Sequence, residues 1–306
     1  MFKRFSNQQL LITLGVLLGL YLLSFLLGGS KERSFEATVL SLDTAKVNKL
    51  VLTPSGERTY SLQKNQGSWE VELADASFAR AEASKVRRAL GSIARLQARG
   101  LASRNKEQWS DFGVDESGVN IKIFQGEELL GEIYGGETFY QQSGLMSYVR
   151  KEGEKETLMV PANLKASFGK KPNDWRDKAL VLGDRNSWNM LTFTYEGDSS
   201  FQMIKNGENQ WMYSDSTASN SSEVGAYIRK LALTKGISFA DGLPAGRPSM
   251  SLSVQSFTGP PFEIAAYKDG QGAYLITSTA NPGAVFEGEG LINEIFVSPQ
   301  AFAFDD

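Results

Sequence analysis

The stretch Lys49-Leu-Val-Leu-Thr53 returns 141 positions later as Met190-Leu-Thr-Phe-Thr194, and the agreement does not stop there. At the same offset Gly56 matches Gly197, Tyr60 matches Phe201, Leu62 matches Met203, and Lys64-Asn65 matches Lys205-Asn206. One extra residue in the second turn then sets Trp69 opposite Trp211. Agreement in both pattern and identity over such a length is the signature of a duplicated structural unit.

Each copy reads the same way. Two alternating strands, Val47 to Thr53 and Arg58 to Lys64, flank a Pro-Ser-Gly turn, and a third strand centred on Trp69 follows an Asn-Gln-Gly turn. An amphipathic helix is expected next, over Phe78 to Arg99 in the first copy and Ser222 to Lys235 in the second. Its apolar positions Val86, Leu90 and Ile93 share one helical face. Strands are expected again at Val119–Phe124, Leu129–Tyr134, Met146–Lys151 and Thr157–Val160. Their counterparts are Ser249–Ser256, Phe262–Tyr267 and Ala273–Thr277. Strands on both sides of one helix predict an α+β module, a mostly antiparallel sheet with the helix packed on one face. The copies close alike, on Val160 to Phe168 and on Val297 to Phe304.

Ahead of the repeat, Lys3 and Arg4 precede an uncharged run from Leu10 to Gly29, which Lys31, Glu32 and Arg33 terminate. At about 1.5 Å per residue a helix over that run spans roughly 30 Å, the hydrocarbon thickness of a bilayer. A cleaved signal peptide is the competing reading, but its apolar region runs to only about 7–15 residues. A lipoprotein junction requires a Cys, which the chain lacks. The expectation is one uncleaved transmembrane helix in a bacterial inner membrane. Lys3 and Arg4 favour an inside N-terminus against the weaker pull of Lys31 and Arg33. Long domains translocate largely regardless of such charges, so the bulk of the chain is expected to be periplasmic; the alternative is a cytoplasmic domain on a reversed anchor. The expected organisation is therefore 1–29 cytoplasmic tip and anchor, 30–46 lead-in linker, 47–169 first module, 170–186 connector and 187–306 second module.

The absence of His and Cys removes imidazole bases, thiol nucleophiles, disulfides and thiolate or His-based metal sites. A balance of 32 basic against 35 acidic residues gives no pull toward nucleic acid. No phosphate-binding Gly-x-x-x-x-Gly-Lys-Ser/Thr loop occurs, and Gly288-Glu-Gly290 is only a fragment of a dinucleotide fingerprint. Asp111, Asp115 and Glu116 fit no Ca²⁺ loop. Glu152, Glu154 and Glu156 read as a soluble hairpin tip. No catalytic, metal or cofactor residue is assigned. Two features stand out instead. On a helix over 78–99, Arg80, Arg87, Arg88, Arg95 and Arg99 share one side, either as a docking stripe for carboxylate or phosphate or as a solvated face. In the connector, Trp175 and Arg176 form a candidate inter-module joint, with the indole buried either between the modules or locally in the first.

The lead-in from Phe35 to Asp43, Gly67-Ser-Trp69, Ala102-Ser-Arg104, Trp109-Ser-Asp-Phe-Gly113 and Trp175-Arg-Asp-Lys178 together give a family likeness. Over essentially its whole length the chain resembles the domain-of-unknown-function family numbered 4340. The resemblance implies a single-span bacterial envelope protein of the kind often encoded beside gliding-motility-type ABC-2 transporters. It carries over no catalytic residue. The function expected is a non-catalytic accessory or scaffold subunit of a membrane protein complex, possessing no cofactor and contacting lipid through residues 10–29. The alternatives are a polysaccharide- or lipid-binding module and a hydrolase using carboxylates alone.

Overall fold

The structure is a computed structural model that describes residues 14–18 and 37–304, apart from 143 and 198. In the first half the strands are β1 (Ala37–Ser41), β2 (Lys49–Thr53), β3 (Tyr60–Asn65), β4 (Ser68–Glu72) and β5 (Phe78–Arg80). Helix α1 (Ala83–Ile93) follows, then β6 (Arg95–Ala98), β7 (Gly100–Ser103), β8 (Val119–Gln125), β9 (Glu128–Gln141), β10 (Gly144–Lys151) and β11 (Thr157–Val160). Two short helices, α2 (Leu164–Phe168) and α3 (Pro172–Trp175), lead out of it. The second half comprises β12 (Trp188–Tyr195), β13 (Phe201–Lys205), β14 (Trp211–Tyr213), helix α4 (Ser221–Leu231), β15 (Met250–Ser256), β16 (Phe262–Lys268), β17 (Tyr274–Ser278) and β18 (Val285–Glu287).

The duplication is explicit in the sheets. The first is ordered β5-β4-β3-β2-β8-β9-β10-β11-β7 and the second β14-β13-β12-β15-β16-β17-β18. Without the flanking β5 and β7, the two orders coincide strand for strand. Register coincides too. Leu50 faces Leu62 and Ile123 as Leu191 faces Met203 and Val254. Lys64 faces Trp69 as Lys205 faces Trp211. All named pairings are antiparallel, so each sheet holds together through short hairpins and one helical excursion.

Each sheet turns one face to its helix. In the first, Leu50, Leu52, Ile121, Ile123 and Ile133 are fully buried with Val86, Ala89, Leu90 and Ile93 of α1. In the second, Leu191, Phe193, Leu252, Val254 and Ile264 meet Val224, Tyr227, Ile228 and Leu231 of α4. The alternation of strands and the 3.6-residue spacing of the helices thus converge on one apolar layer per module. The closing segments complete both layers, placing Phe168 and Phe302 at 0% and 1% exposure. Trp69 and Trp211 are buried at matching positions.

The lead-in and the first helix differ from expectation. Ala37–Ser41 is a strand within the expected linker, and it pairs with Arg95–Ala98 in a separate two-stranded sheet. The helix expected over Phe78–Arg99 is only Ala83–Ile93, with a strand at each end. Leu96 and Ala98 are buried while Arg95, Gln97 and Arg99 are exposed, a period of two that ends the helix. Phe78–Arg80 pairs with Glu70–Glu72. Helix α4 stops at Leu231, short of Lys235, and starts where the Asn220 side chain accepts the amides of Ser222 and Glu223.

Of the apolar run 10–29, residues 14–18 are helical with exposed side chains, and the remainder lies outside the described residues. Among the described residues no helix is long and apolar enough to cross a membrane.

Candidate functional site

The five arginines do not share one helix face. Arg87 and Arg88 are exposed on α1, Arg95 lies on β6, and Arg99 follows that strand; both are exposed. Arg80 lies on β5, where its guanidinium pairs with Asp177 at 2.7 Å. The early end of the helix explains the change, because strand geometry on either side re-aims Arg80, Arg95 and Arg99.

Two lysines instead extend the cationic surface around Arg88. Lys85 donates to the Asp174 carbonyl at 2.7 Å and pairs with Glu82 at 3.2 Å. Lys170 lies 4.6 Å over the ring of Trp175. Its ammonium is pushed below the usual lysine range by burial, then by the neighbouring charges of Lys85 and Arg88. Lys85 and Lys170 thus both lie against the connector, and Arg88 is exposed on the same helix as Lys85. Glu82 stands just before the first residue of α1. Burial pushes its carboxyl up, but the Ser84 hydroxyl and Lys85 outweigh this and leave it below the ordinary glutamate range.

The connector grips both modules. Trp175 is fully buried in the core of the first, and its indole Nε1 donates to Tyr60 Oη at 2.8 Å. Tyr60 donates onward to the Lys170 carbonyl at 2.5 Å, and burial raises its phenol far above the usual range. The backbone continues this attachment: Glu82 N–H donates to Trp175 O at 2.7 Å and Asp177 N–H to Arg80 O at 2.8 Å. Arg176 points the other way. Its guanidinium lies 3.6 Å from the centroid of the Phe239 ring, and its Nη1 donates to Asn173 at 3.2 Å. Burial lowers its pKa, with Asp241 opposing. Lys178 donates to the Ile237 carbonyl, Gly236 N–H to Lys178 O at 2.8 Å, and Asn281 to Asp177 O at 2.7 Å. Leu180 then enters the second core. Trp175 is therefore packed locally, and Arg176 with the residues after it makes the contact across.

A second polar constellation had no signal in the sequence. Arg150, on β10, is 4% exposed and lies between the rings of Trp109 and Tyr134, each centroid 4.0 Å away. Its Nε donates to Val114 O at 3.0 Å and its Nη1 to Glu152 at 3.1 Å. The Trp109–Phe112 turn is held against the sheet where Gly118 and Gly136 leave no room for a Cβ. Asp115 closes this turn by accepting from the Ser110 and Ser117 hydroxyls at 2.5 and 2.6 Å and from Ser117 N–H. These bonds hold its carboxyl down at about 2. Asp111 and Glu116 are exposed beside it. Glu152 and Glu154 pair with Arg150 and Lys151, and Glu156 with Arg104. Among the described residues no three acidic side chains converge as a metal ion requires.

Comparison with known proteins gives one match. The family model described as "Domain of unknown function (DUF4340)" covers residues 72–249, from the end of β4 across the connector to the threshold of β15. No curated protein and no solved structure matches the chain. With more than half of its length, connector included, inside that match, the chain belongs to the DUF4340 family.

Proposed function

We propose that this protein is a non-catalytic, membrane-anchored, extracytoplasmic accessory subunit that docks on or stabilises a larger membrane protein complex. The observation that carries the reading is the joint. Arg80–Asp177, Arg176 on Phe239 and the backbone bonds of the connector tie two duplicated sheets into one body. A body fixed to itself at this depth suits holding partners at a set position. The cationic cluster of Lys85, Arg88 and Lys170, with Arg87 nearby on the same helix, is the docking face. It presents charge suited to an acidic partner surface. The apolar run 10–29 is the anchor, N-terminus inside. Confinement to a bilayer raises the effective concentration of a membrane partner without demanding a strong interface. The family resemblance makes an ABC-2 type transporter the first partner to test.

The test is affinity purification of the full chain in mild detergent with mass spectrometry of what accompanies it. A stoichiometric integral membrane protein is expected, and Arg87→Glu with Arg88→Glu should release it while leaving the melting temperature of the body unchanged. A chain that purifies alone, or whose partner is indifferent to those charges, removes the docking reading. Protease added to spheroplasts should digest the modules; protection would remove the assigned topology.

A further inference from the structure

The outer face of the first sheet, opposite α1, is not a plain solvated surface. Alternation sends Leu50, Leu52, Ile121 and Ile123 to the core and Thr53, Asn120, Lys122, Glu132 and Tyr134 outward. There a groove of about 540 Å³ runs between the Pro54–Glu57 turn and the Asp115–Gly118 loop. Its outward side chains are half-buried rather than free. Asn120 donates to Glu132 at 2.9 Å, Lys122 pairs with Glu132 at 3.4 Å, and the Thr53 and Thr59 hydroxyls meet at 2.8 Å. Tyr134 is fixed by Arg150 stacked on its ring.

The second module supplies an internal control. Register places Ser251, Ser253, Glu263 and Ala265 where the first has Asn120, Lys122, Glu132 and Tyr134. The same sheet therefore folds without the amide, the ammonium and the ring. Tyr134 also seats Arg150, so it is the amide and the ammonium that the shared sheet does not require.

We propose that this groove binds an uncharged glycan. The floor alternates donors with acceptors beside hydroxyls that serve as both, the pattern that vicinal sugar hydroxyls satisfy. The Tyr134 ring adds an apolar edge among them, and its volume lies in the range of small-ligand sites, about 300–1,000 Å³. Charge excludes the obvious competitors. Glu57, Asp115, Glu116 and Glu132 outnumber Lys122, so a phosphate or uronate is repelled. The site lies on the face opposite α1 and does not rest on the docking reading.

Saturation-transfer NMR on the full chain, held in a detergent without a sugar headgroup, tests this with chitotetraose, maltotetraose and a dextran tetrasaccharide, and with tetragalacturonate as the anionic control. At least one neutral tetrasaccharide should receive saturation and the anion none. Asn120→Ser with Lys122→Ser, which installs what the second module carries, should weaken that binding at least tenfold. Lys122→Ser alone, at a partly exposed site, gives the same direction should the pair disturb folding. Silence from all three neutral sugars, preference for the uronate, or wild-type affinity in both variants overturns the proposal. None of these outcomes depends on whether a membrane partner co-purifies.

Discussion

The indole N–H of Trp175 donates to the phenolic oxygen of Tyr60, 115 residues earlier in the chain, inside the first core. Tyr60 thus receives one hydrogen bond and gives another to Lys170 O, so a single hydroxyl fixes the connector at two points. Tyr60→Phe keeps the ring and removes both bonds, leaving a buried N–H unpaired. The expected cost is about 1–3 kcal/mol, read as a lower urea midpoint with an unchanged m-value. Trp175→Ala adds a cavity and should cost about 3–5 kcal/mol. A midpoint unmoved in Tyr60→Phe would show that the bond is not formed in solution.

The carboxyl of Asp115 gives a pH prediction. Held at about 2 by Ser110 and Ser117, it titrates below its unfolded value of about 3.9. A depressed acid stabilises the fold above the unfolded pKa and loses that contribution as pH falls toward the folded one. The window is therefore roughly pH 4 down to pH 2. The contribution is about 1 kcal/mol once solvent screening is allowed for. Thermal melts of the wild type and Asp115→Asn should differ at pH 6 and converge near pH 2. A constant difference across that range would exclude the assignment.

Two glycines make opposite predictions. Gly91 lies in α1 with nothing within 4 Å of a built Cβ, so Gly91→Ala should stabilise by about 0.5–1 kcal/mol through the unfolded chain. At Gly118 the same Cβ would stand 2.1 Å from Gly113 O and 2.7 Å from Gly135 O, both backbone. Gly118→Ala must displace the Trp109 turn and should cost at least about 1–3 kcal/mol. Denaturant midpoints of the two variants should move to opposite sides of the wild type.

The parts that were readable from sequence are those governed by local periodicity. Leu50 and Leu191 share an offset, a face and a register, so the repeat forecast two alike antiparallel modules, though not the order of their strands. Helix α1 was overdrawn because Leu90, Ile93 and Leu96 keep helical spacing, while Leu96 and Ala98 keep strand spacing just as well over so few residues. Only the pairing with Ala37–Ser41 decides between them. Arg150 was invisible for a related reason. A charged residue near a hairpin tip reads as solvated, and the two rings that bury it come from Trp109 and Tyr134 on other elements. Within the joint, Trp175 and Arg176 stood out by composition alone. Phe239, the ring beneath Arg176, lies in a loop whose sequence carries no period.

That ring is where the last prediction bears on function. If Arg176 on Phe239 couples the modules, the two cores unfold as one; without it each should follow its own stability. Arg176→Ala removes no apolar side chain from either core and uncovers Phe239 at the edge of the second. It removes a desolvated cation–π contact of about 2 kcal/mol. Asp177→Ala removes the neighbouring ion pair, whose partners are 34% and 21% exposed, so its own share is smaller, below about 1 kcal/mol. Calorimetry of the double variant should resolve one transition into two, with the radius of gyration rising in solution scattering. A single sharp transition in that variant would mean that the remaining contacts, the connector backbone with Lys178 and Asn281, couple the modules, and the guanidinium would then be no more than a cover for Phe239.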